Sequence, residues 1–144
     1  MSLESIKTLV DELSTLHVTR GVQPSDLIDN LFEDDYVESS ARKTSRGLVF
    51  NLTFFEADDD GSLSKVSMRY TYDSNRHLVL VEQKVAAKRF NIQWDRAQAV
   101  QERLGKLQVL LAKQLPREKI AAILATMPQD YLALAPRLQL IARQ

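Results

Sequence analysis

The sequence predicts an α+β protein in which an antiparallel β-meander of three or four strands follows N-terminal helices. A long C-terminal helix is expected to pack on the sheet and to be followed by short helices. Three successive patterns in the spacing of apolar residues support this prediction. Apolar positions recur every three or four residues near the N-terminus, alternate with polar positions between about residues 47 and 85, and return to helical spacing after residue 93.

The expected organisation is a single α+β domain over residues 1–144. We divide it into a helical acidic segment at 1–35, a β-meander at 36–90 and a helical basic segment at 91–144.

The N-terminal segment is expected to contain two helices. The first covers residues 2–16, where the apolar residues lie on one face of a helix. These residues are Leu3, Ile6, Leu9, Val10, Leu13 and Leu16. Gly21 and Pro24 then interrupt the chain before a short second helix that carries Leu27, Ile28, Leu31 and Phe32. Acidic side chains at a helix C-terminus oppose the helix dipole, so we place Glu33, Asp34 and Asp35 just beyond that helix.

The central segment reads as consecutive strands. Residues 47–57 and 65–72 alternate between apolar and polar side chains, and residues 77–85 form a third run. Residues 36–43 are a weaker candidate for a first strand. The connections are short and rich in Asp, Asn, Ser and Gly, so neighbouring strands are expected to pair as hairpins.

The longest helix is expected at about residues 93–114. Its apolar seam has spacings of three and four residues, and Trp94 lies one turn before it. The seam consists of Ala97, Val100, Leu104, Leu107 and Leu111. Pro116 and Pro128 are expected to open shorter helices, and Pro136 to divide the last one.

Composition excludes several kinds of chemistry. The chain has no cysteine, which excludes disulfides, thiolate nucleophiles and cysteine-ligated metals. Its four glycines are scattered singly, so no phosphate-binding loop can be written, and no Gly-x-Ser-x-Gly motif is present. We therefore expect no cofactor and favour a protein that is not an enzyme.

No apolar run approaches the roughly 20 residues of a membrane span, and the N-terminus lacks the layout of a signal peptide. A soluble cytoplasmic protein without a membrane partner is therefore expected.

Charge is distributed unevenly although the total is zero. Residues 1–38 contain nine acids and two bases, a net charge of −7, whereas residues 87–144 contain ten bases and four acids, a net charge of +6. The two ends of the chain either pair with each other or bind partners of opposite charge.

The Asp-rich stretch 56–64 resembles part of a calcium loop, with Asp58 and Asp60 as weak candidate ligands. Ser67 stands where a bidentate Glu is needed, and the flanking residues read as strands. An Asp-Asp-Gly hairpin turn needs no metal, so the plain turn is favoured and no metal site is expected.

The leading functional prediction is a non-enzymatic interaction protein, such as an adaptor, a chaperone-like protein or a regulatory subunit. It is expected to form a homodimer, because Val109 and Leu110 lie off the seam and Gly105 permits close helix approach, and to bind another protein. The candidate partner-binding residues are Asp34, Asp35, Arg96, Arg103, Lys106 and Lys113.

Two alternatives remain open at the level of sequence. A helix over a curved sheet encloses an apolar pocket in a small-ligand binder or cavity enzyme. The residues expected to line it are Phe50, Phe54, Tyr70, Tyr72 and Trp94. Nucleic-acid binding through the four bases of the long helix is less favoured, since the chain has no net positive charge.

Overall fold

The computed structural model describes residues 2–111 and 117–135 and confirms the α+β class, with a meander sheet between helical segments. The helices are α1 (Ser2–Val18), α2 (Pro24–Ile28), a 3₁₀ helix (Asp29–Phe32), α3 (Arg96–Leu111), α4 (Arg117–Leu124) and α5 (Gln129–Ala133). The strands are β1 (Tyr36–Thr44), β2 (Gly47–Ala57), β3 (Leu63–Asp73), β4 (Leu78–Val85) and β5 (Asn91–Asp95).

The chain divides into two compact units. Unit 1 comprises Met1–Thr19 and Ala97–Gln144, and unit 2 comprises Arg20–Arg96. Unit 1 therefore holds helices from both ends of the sequence, and unit 2 holds the sheet.

Unit 2 is built on a five-stranded sheet in the order β1-β2-β3-β4-β5, with every neighbouring pair antiparallel. In the register, Phe50 lies opposite Ala41 on one side and Tyr70 on the other. The predicted alternation of β2 is confirmed, because Phe50 and Leu52 share a face and are both buried. The meander follows from short hairpins that return each strand beside the one before it.

The sheet has five strands, whereas the sequence predicted three or four and placed residues 91–95 in the helical segment. Residues 91–95 form β5, and Trp94 lies opposite Val81 of β4. The predicted strand count was wrong because this run of five residues has only two apolar positions, 92 and 94. Two positions are too few to distinguish a short strand from the first turn of a helix. Helix α3 accordingly begins at Arg96.

The core of unit 2 lies between one face of the sheet and α2. Leu27 of α2 is buried together with Phe50, Leu52, Tyr72 and Leu78. The segment before α2 is fixed to the same sheet, since the Tyr72 hydroxyl donates a hydrogen bond of 2.6 Å to the Val22 carbonyl oxygen.

Gly21 is required where this segment meets β4. Its φ of +81° lies in the left-handed region, and an added Cβ would lie 2.9 Å from the Cβ of Leu78. The Leu78 amide donates to the Arg20 carbonyl at 2.8 Å. A residue with a side chain would disturb both the turn and this approach.

Among the described residues, the core of unit 1 is formed mainly by helices. Of the predicted seam of α3, Ala97 is exposed, whereas Val100, Leu104 and Leu107 are buried in the core of unit 1. These residues pack with buried residues of α1, α4 and the region 127–135, among them Ile6 and Leu124. Burial of one face from each helix supplies the stability that short isolated helices lack.

Some predictions fall outside the described residues. Pro116, Pro136 and Lys113 are among them. The described part of α3 ends at Leu111.

Candidate functional site

The segment that leads into the sheet is the first candidate site, and we call residues 28–38 the acidic edge segment. It begins where α2 passes into the 3₁₀ helix. The Gln23 amide donates to the Asp26 carboxylate at 3.0 Å, which satisfies an amide at the start of α2. The Glu33 amide then donates to the Asn30 carbonyl at 2.9 Å, and Tyr36 opens β1.

Apolar side chains in the acidic edge segment are unusually exposed. Phe32 is 90% exposed, Val37 is 49% exposed and Ile28 is 47% exposed. Ile28 is the last residue of α2, and Phe32 is the last residue of the 3₁₀ helix that follows it. Leu27 and Leu31, their neighbours in sequence, belong to the core or pack against it.

The segment continues into an edge strand. Within the described residues β1 pairs with β2 alone, so the backbone along its other edge has no strand partner. Most of β1 is exposed. An edge of this kind accepts a further strand from another chain.

Asp34 and Asp35 lie in this segment, at the tight turn between the 3₁₀ helix and β1. Both side chains are exposed. The Asp35 carbonyl accepts a hydrogen bond of 2.8 Å from the Phe55 amide, which anchors the turn to β2. The two carboxylates are therefore presented from a fixed backbone beside Phe32.

Of the four basic residues predicted to bind a partner, Arg96, Arg103, Lys106 and Lys113, the three that the structure describes do not have a common environment. In unit 1, Arg103 Nε donates to the Glu12 carboxylate at 2.9 Å, and its Nη1 donates to the Ala99 carbonyl at 3.0 Å. Lys106 is exposed on the surface of α3, Arg96 is half-buried and Lys113 lies outside the described residues. The pairing of Glu12 with Arg103 joins the acidic first helix to the basic long helix and leaves less positive charge for an anionic ligand.

The aromatic residues expected to line a pocket are buried or half-buried in unit 2. Phe50 and Tyr72 are buried in its core, and Tyr70 and Trp94 pack against them. Phe54 contacts the ring of Tyr36, with 5.0 Å between the ring centroids. Burial raises the pKa of the hydroxyls of Tyr70 and Tyr72.

A pocket of about 350 Å³ lies in unit 2 beside the end of β3, and Tyr72 is one of its lining residues. The side chain of Gln23 also lines it, and its amide group donates to the carbonyls of Gly21 and Arg76 at 3.2 and 3.0 Å. The polar groups named here are already bonded within the protein. They therefore provide little for a ligand to recognise.

The Asp-rich turn has the contacts of a closed hairpin turn. The Ser62 hydroxyl donates to the carboxylates of Asp60 at 2.6 Å and Asp58 at 3.1 Å, and the Ser64 hydroxyl donates to Asp58 at 3.1 Å. The bond to Asp60 from the Ser62 hydroxyl, together with one of 2.9 Å from the Ser62 amide, lowers the pKa of Asp60. Among the described residues, no group of three or more His, Asp or Glu side chains is placed to hold a metal ion.

One polar cluster on the sheet was not predicted from the sequence. Arg69 of β3 makes two hydrogen bonds of 2.8 Å to Glu82 of β4, and its guanidinium lies 3.9 Å from the centroid of the Phe90 ring. The hydrogen bonds raise the pKa of Arg69 and lower the pKa of Glu82. The sequence shows a base on one predicted strand and an acid on the next. Only the register of β3 and β4, which places Arg69 opposite Glu82, shows that the two residues pair.

Comparison of the chain with protein-family models, with curated proteins and with solved structures finds no significant match. Within residues 2–111 and 117–135, no helix combines the length and the apolar character that crossing a bilayer requires. The function is therefore inferred from the surfaces of the two units.

Proposed function

We propose that the protein is a non-enzymatic interaction protein, an adaptor or regulatory subunit, that binds a partner protein through the acidic edge segment. The observation that carries this proposal is Phe32, which is 90% exposed at the entrance to an edge strand. Single exposed apolar residues are common, but here three of them lie within ten residues.

The exposed Phe32 is suited to be the anchor of an interface. Moving a phenylalanine side chain from water into an apolar pocket is worth about 1.5–3 kcal/mol. Aromatic anchors of this kind contribute much of the binding energy of protein interfaces. Unit 2 holds the backbone around Phe32 through the hydrogen bonds of the adjoining turn, so little ordering is needed on binding.

The free edge of β1 supplies the second part of the surface. The strand has nine residues, which span about 30 Å when extended. Backbone hydrogen bonds along such an edge add affinity without requiring a specific sequence. An extended segment of the partner is the element that fits this edge.

Charge indicates the composition of the partner. The acidic edge segment contains five acids and no base: Asp29, Glu33, Asp34, Asp35 and Glu38. A basic partner segment gains attraction here and associates faster, whereas an acidic one is repelled. We therefore expect an extended partner segment that carries a pocket for Phe32 and is basic where it lies beside residues 33–38, but not where it passes Arg42 and Lys43 of β1.

Photo-crosslinking from defined positions tests this proposal. A photoreactive amino acid replaces Phe32 in one variant and Leu63 or Ile92 in two others, and each variant is expressed in the native host. Leu63 and Ile92 are matched controls, because they are exposed apolar residues of unit 2 outside the acidic edge segment. We expect a protein captured from position 32 and not from 63 or 92, crosslinked through a basic segment. Equal capture at all three positions contradicts the proposal.

The purified partner then allows a quantitative measurement. Phe32→Ala should weaken binding by about tenfold or more, and Leu63→Ala should leave it unchanged. Asp34→Lys with Asp35→Lys should weaken binding most at low salt, whereas Asp59→Lys in the β2–β3 turn should not. Binding that is indifferent to Phe32 and to both aspartates excludes this surface.

A further inference from the structure

A second surface lies in unit 1, along the face of α3 that is turned towards α1. A groove of about 730 Å³ runs between these helices. Its lining is mainly apolar, and the apolar residues are Leu9 of α1 with Val109 and Leu110 of α3. Val109 is 67% exposed.

Gly105 leaves the centre of this groove open. A Cβ added at Gly105 would meet no heavy atom within 4 Å, so the backbone of α3 is directly accessible there. A glycine inside a helix is less favourable than alanine, because it loses more backbone entropy on folding. Close approach of another helix is a physical use for glycine at such a position.

The charged residues on either side of Gly105 could pair with the same residues in a second copy of the chain. Glu102 and Lys106 both line the groove, one turn of helix apart and on either side of Gly105 in sequence. If two α3 helices lie antiparallel about Gly105, each Glu102 lies within roughly 3 Å, along the helix axis, of Lys106 in the other helix, and the two Lys106 residues lie equally close to each other. The two-fold axis makes the Glu102–Lys106 attraction occur twice against a single Lys106–Lys106 repulsion, so the sum is attractive.

We infer that a second copy of this chain binds the groove, with the two α3 helices antiparallel about a two-fold axis close to Gly105. The helices contact at the glycine, Val109 of each copy covers apolar surface of the other, and the Glu102–Lys106 pairs fix the register. The attraction depends on the two charges alternating about the glycine. A partner of uniform charge gains nothing from this arrangement.

Charge reversal at the two positions tests the inference by sedimentation of the full chain. Glu102→Lys gives a copy with two bases beside the glycine, and Lys106→Glu gives a copy with two acids. Each variant alone faces like charges across the axis, so its dimer dissociation constant should rise roughly tenfold. An equimolar mixture of the two variants should recover association, because each heterodimer pairs two bases with two acids.

The mixture distinguishes the possible occupants of the groove. If a different protein or the chain's own C-terminal residues occupied it, mixing would restore nothing. A wild-type chain that is monomeric at all concentrations, or dimers that ignore both charge reversals, would overturn the inference.

A steric variant provides a second measurement. Gly105→Gln places a bulky side chain in the groove while favouring the helix, so self-association should be lost and far-ultraviolet circular dichroism should show no loss of helix. Val18→Gln is the control, because Val18 is an exposed apolar residue of unit 1 that does not line this groove. Dimerisation that survives Gly105→Gln also overturns the inference.

Discussion

The ion pair between Arg69 and Glu82 gives a prediction at the scale of single residues. Its hydrogen bonds lower the pKa of Glu82 below its usual 4.5, so the pair stabilises the fold above that pH and is lost as the pH falls through the lowered pKa. The Arg69 side chain is 36% exposed, so solvent screens the pair. We expect Glu82→Gln to lower the free energy of unfolding at pH 7 by about 1 kcal/mol.

Urea unfolding at pH 7 and at pH 3 measures this effect. The difference between wild type and Glu82→Gln should shrink at the lower pH, because the Glu82 carboxyl of the unfolded chain is then protonated and must lose its proton to form the pair. Glu56→Gln, at an exposed position of β2, serves as the control and should show no such change. If Glu82→Gln and Glu56→Gln show the same pH dependence, the Arg69–Glu82 pair does not stabilise the fold as described.

Gly47 gives a second prediction at this scale. An added Cβ would overlap the backbone carbonyl oxygen of Tyr72, which belongs to β3 and cannot move without shifting the strand. Gly47→Ala should therefore lower the free energy of unfolding by about 1–3 kcal/mol. The same substitution at Gly105 should raise it by up to about 1 kcal/mol in the monomer, because that position is open and helical. Thermal unfolding of both variants at low concentration shows whether each substitution raises or lowers the free energy of unfolding. Changes in the same direction would contradict this account.

Helix α3 gives a prediction at the scale of an element. Leu107 is fully buried in the helical core of unit 1, whereas Val109, two residues on, is exposed. Leu107→Ala should cost about 2–5 kcal/mol through the cavity it leaves. Val109→Ala should change the free energy of unfolding of the monomer by less than about 0.5 kcal/mol. Chemical denaturation of the two variants at low concentration tests whether the seam of α3 is buried as described.

Long helices and strands could be predicted from the sequence, and the shortest strand could not. The seam of α3 was predicted because a spacing of three and four residues persists over several turns, and the long strands were predicted because alternation persists over about ten residues. Strand β5 was missed because five residues carry too little periodicity. Periodicity is therefore informative in proportion to the length of the element.

The candidate site was only partly predictable for a different reason. Asp34 and Asp35 were selected by charge, but nothing in the sequence separates Phe32 from Leu27 or Leu31, since all three are apolar residues of one short helical stretch. The helix changes to 3₁₀ winding at Asp29, and only the packed sheet decides which side chains face it. Exposure is a tertiary property, and so is the register that pairs Arg69 with Glu82.

At the scale of the whole molecule, charge is partly balanced within one unit. Glu12 and Arg103 are distant in sequence and form an ion pair in unit 1. The acids of residues 29–38 lie in unit 2, in the same segment as the exposed Phe32. The zero net charge of the chain thus combines an internal ion pair with a group of exposed acids.

The two proposed surfaces lie on different units, so their functions should be separable. Phe32 belongs to unit 2, and Glu102 belongs to unit 1. Phe32→Ala should weaken binding of the crosslinked partner by about tenfold or more and leave the dimer dissociation constant unchanged. Glu102→Lys should weaken self-association and leave the affinity for the partner, measured per chain, unchanged.

Calorimetric titration with the partner and sedimentation of the same preparations measure both quantities. Circular dichroism of each variant confirms that the fold is retained before the affinities are compared. If Phe32→Ala alone is without effect, the partner surface is wrong and the self-association surface is untouched. If Glu102→Lys alone is without effect, the reverse holds. If either variant impairs both kinds of binding, the two surfaces are thermodynamically coupled, and partner binding depends on the oligomeric state of the chain.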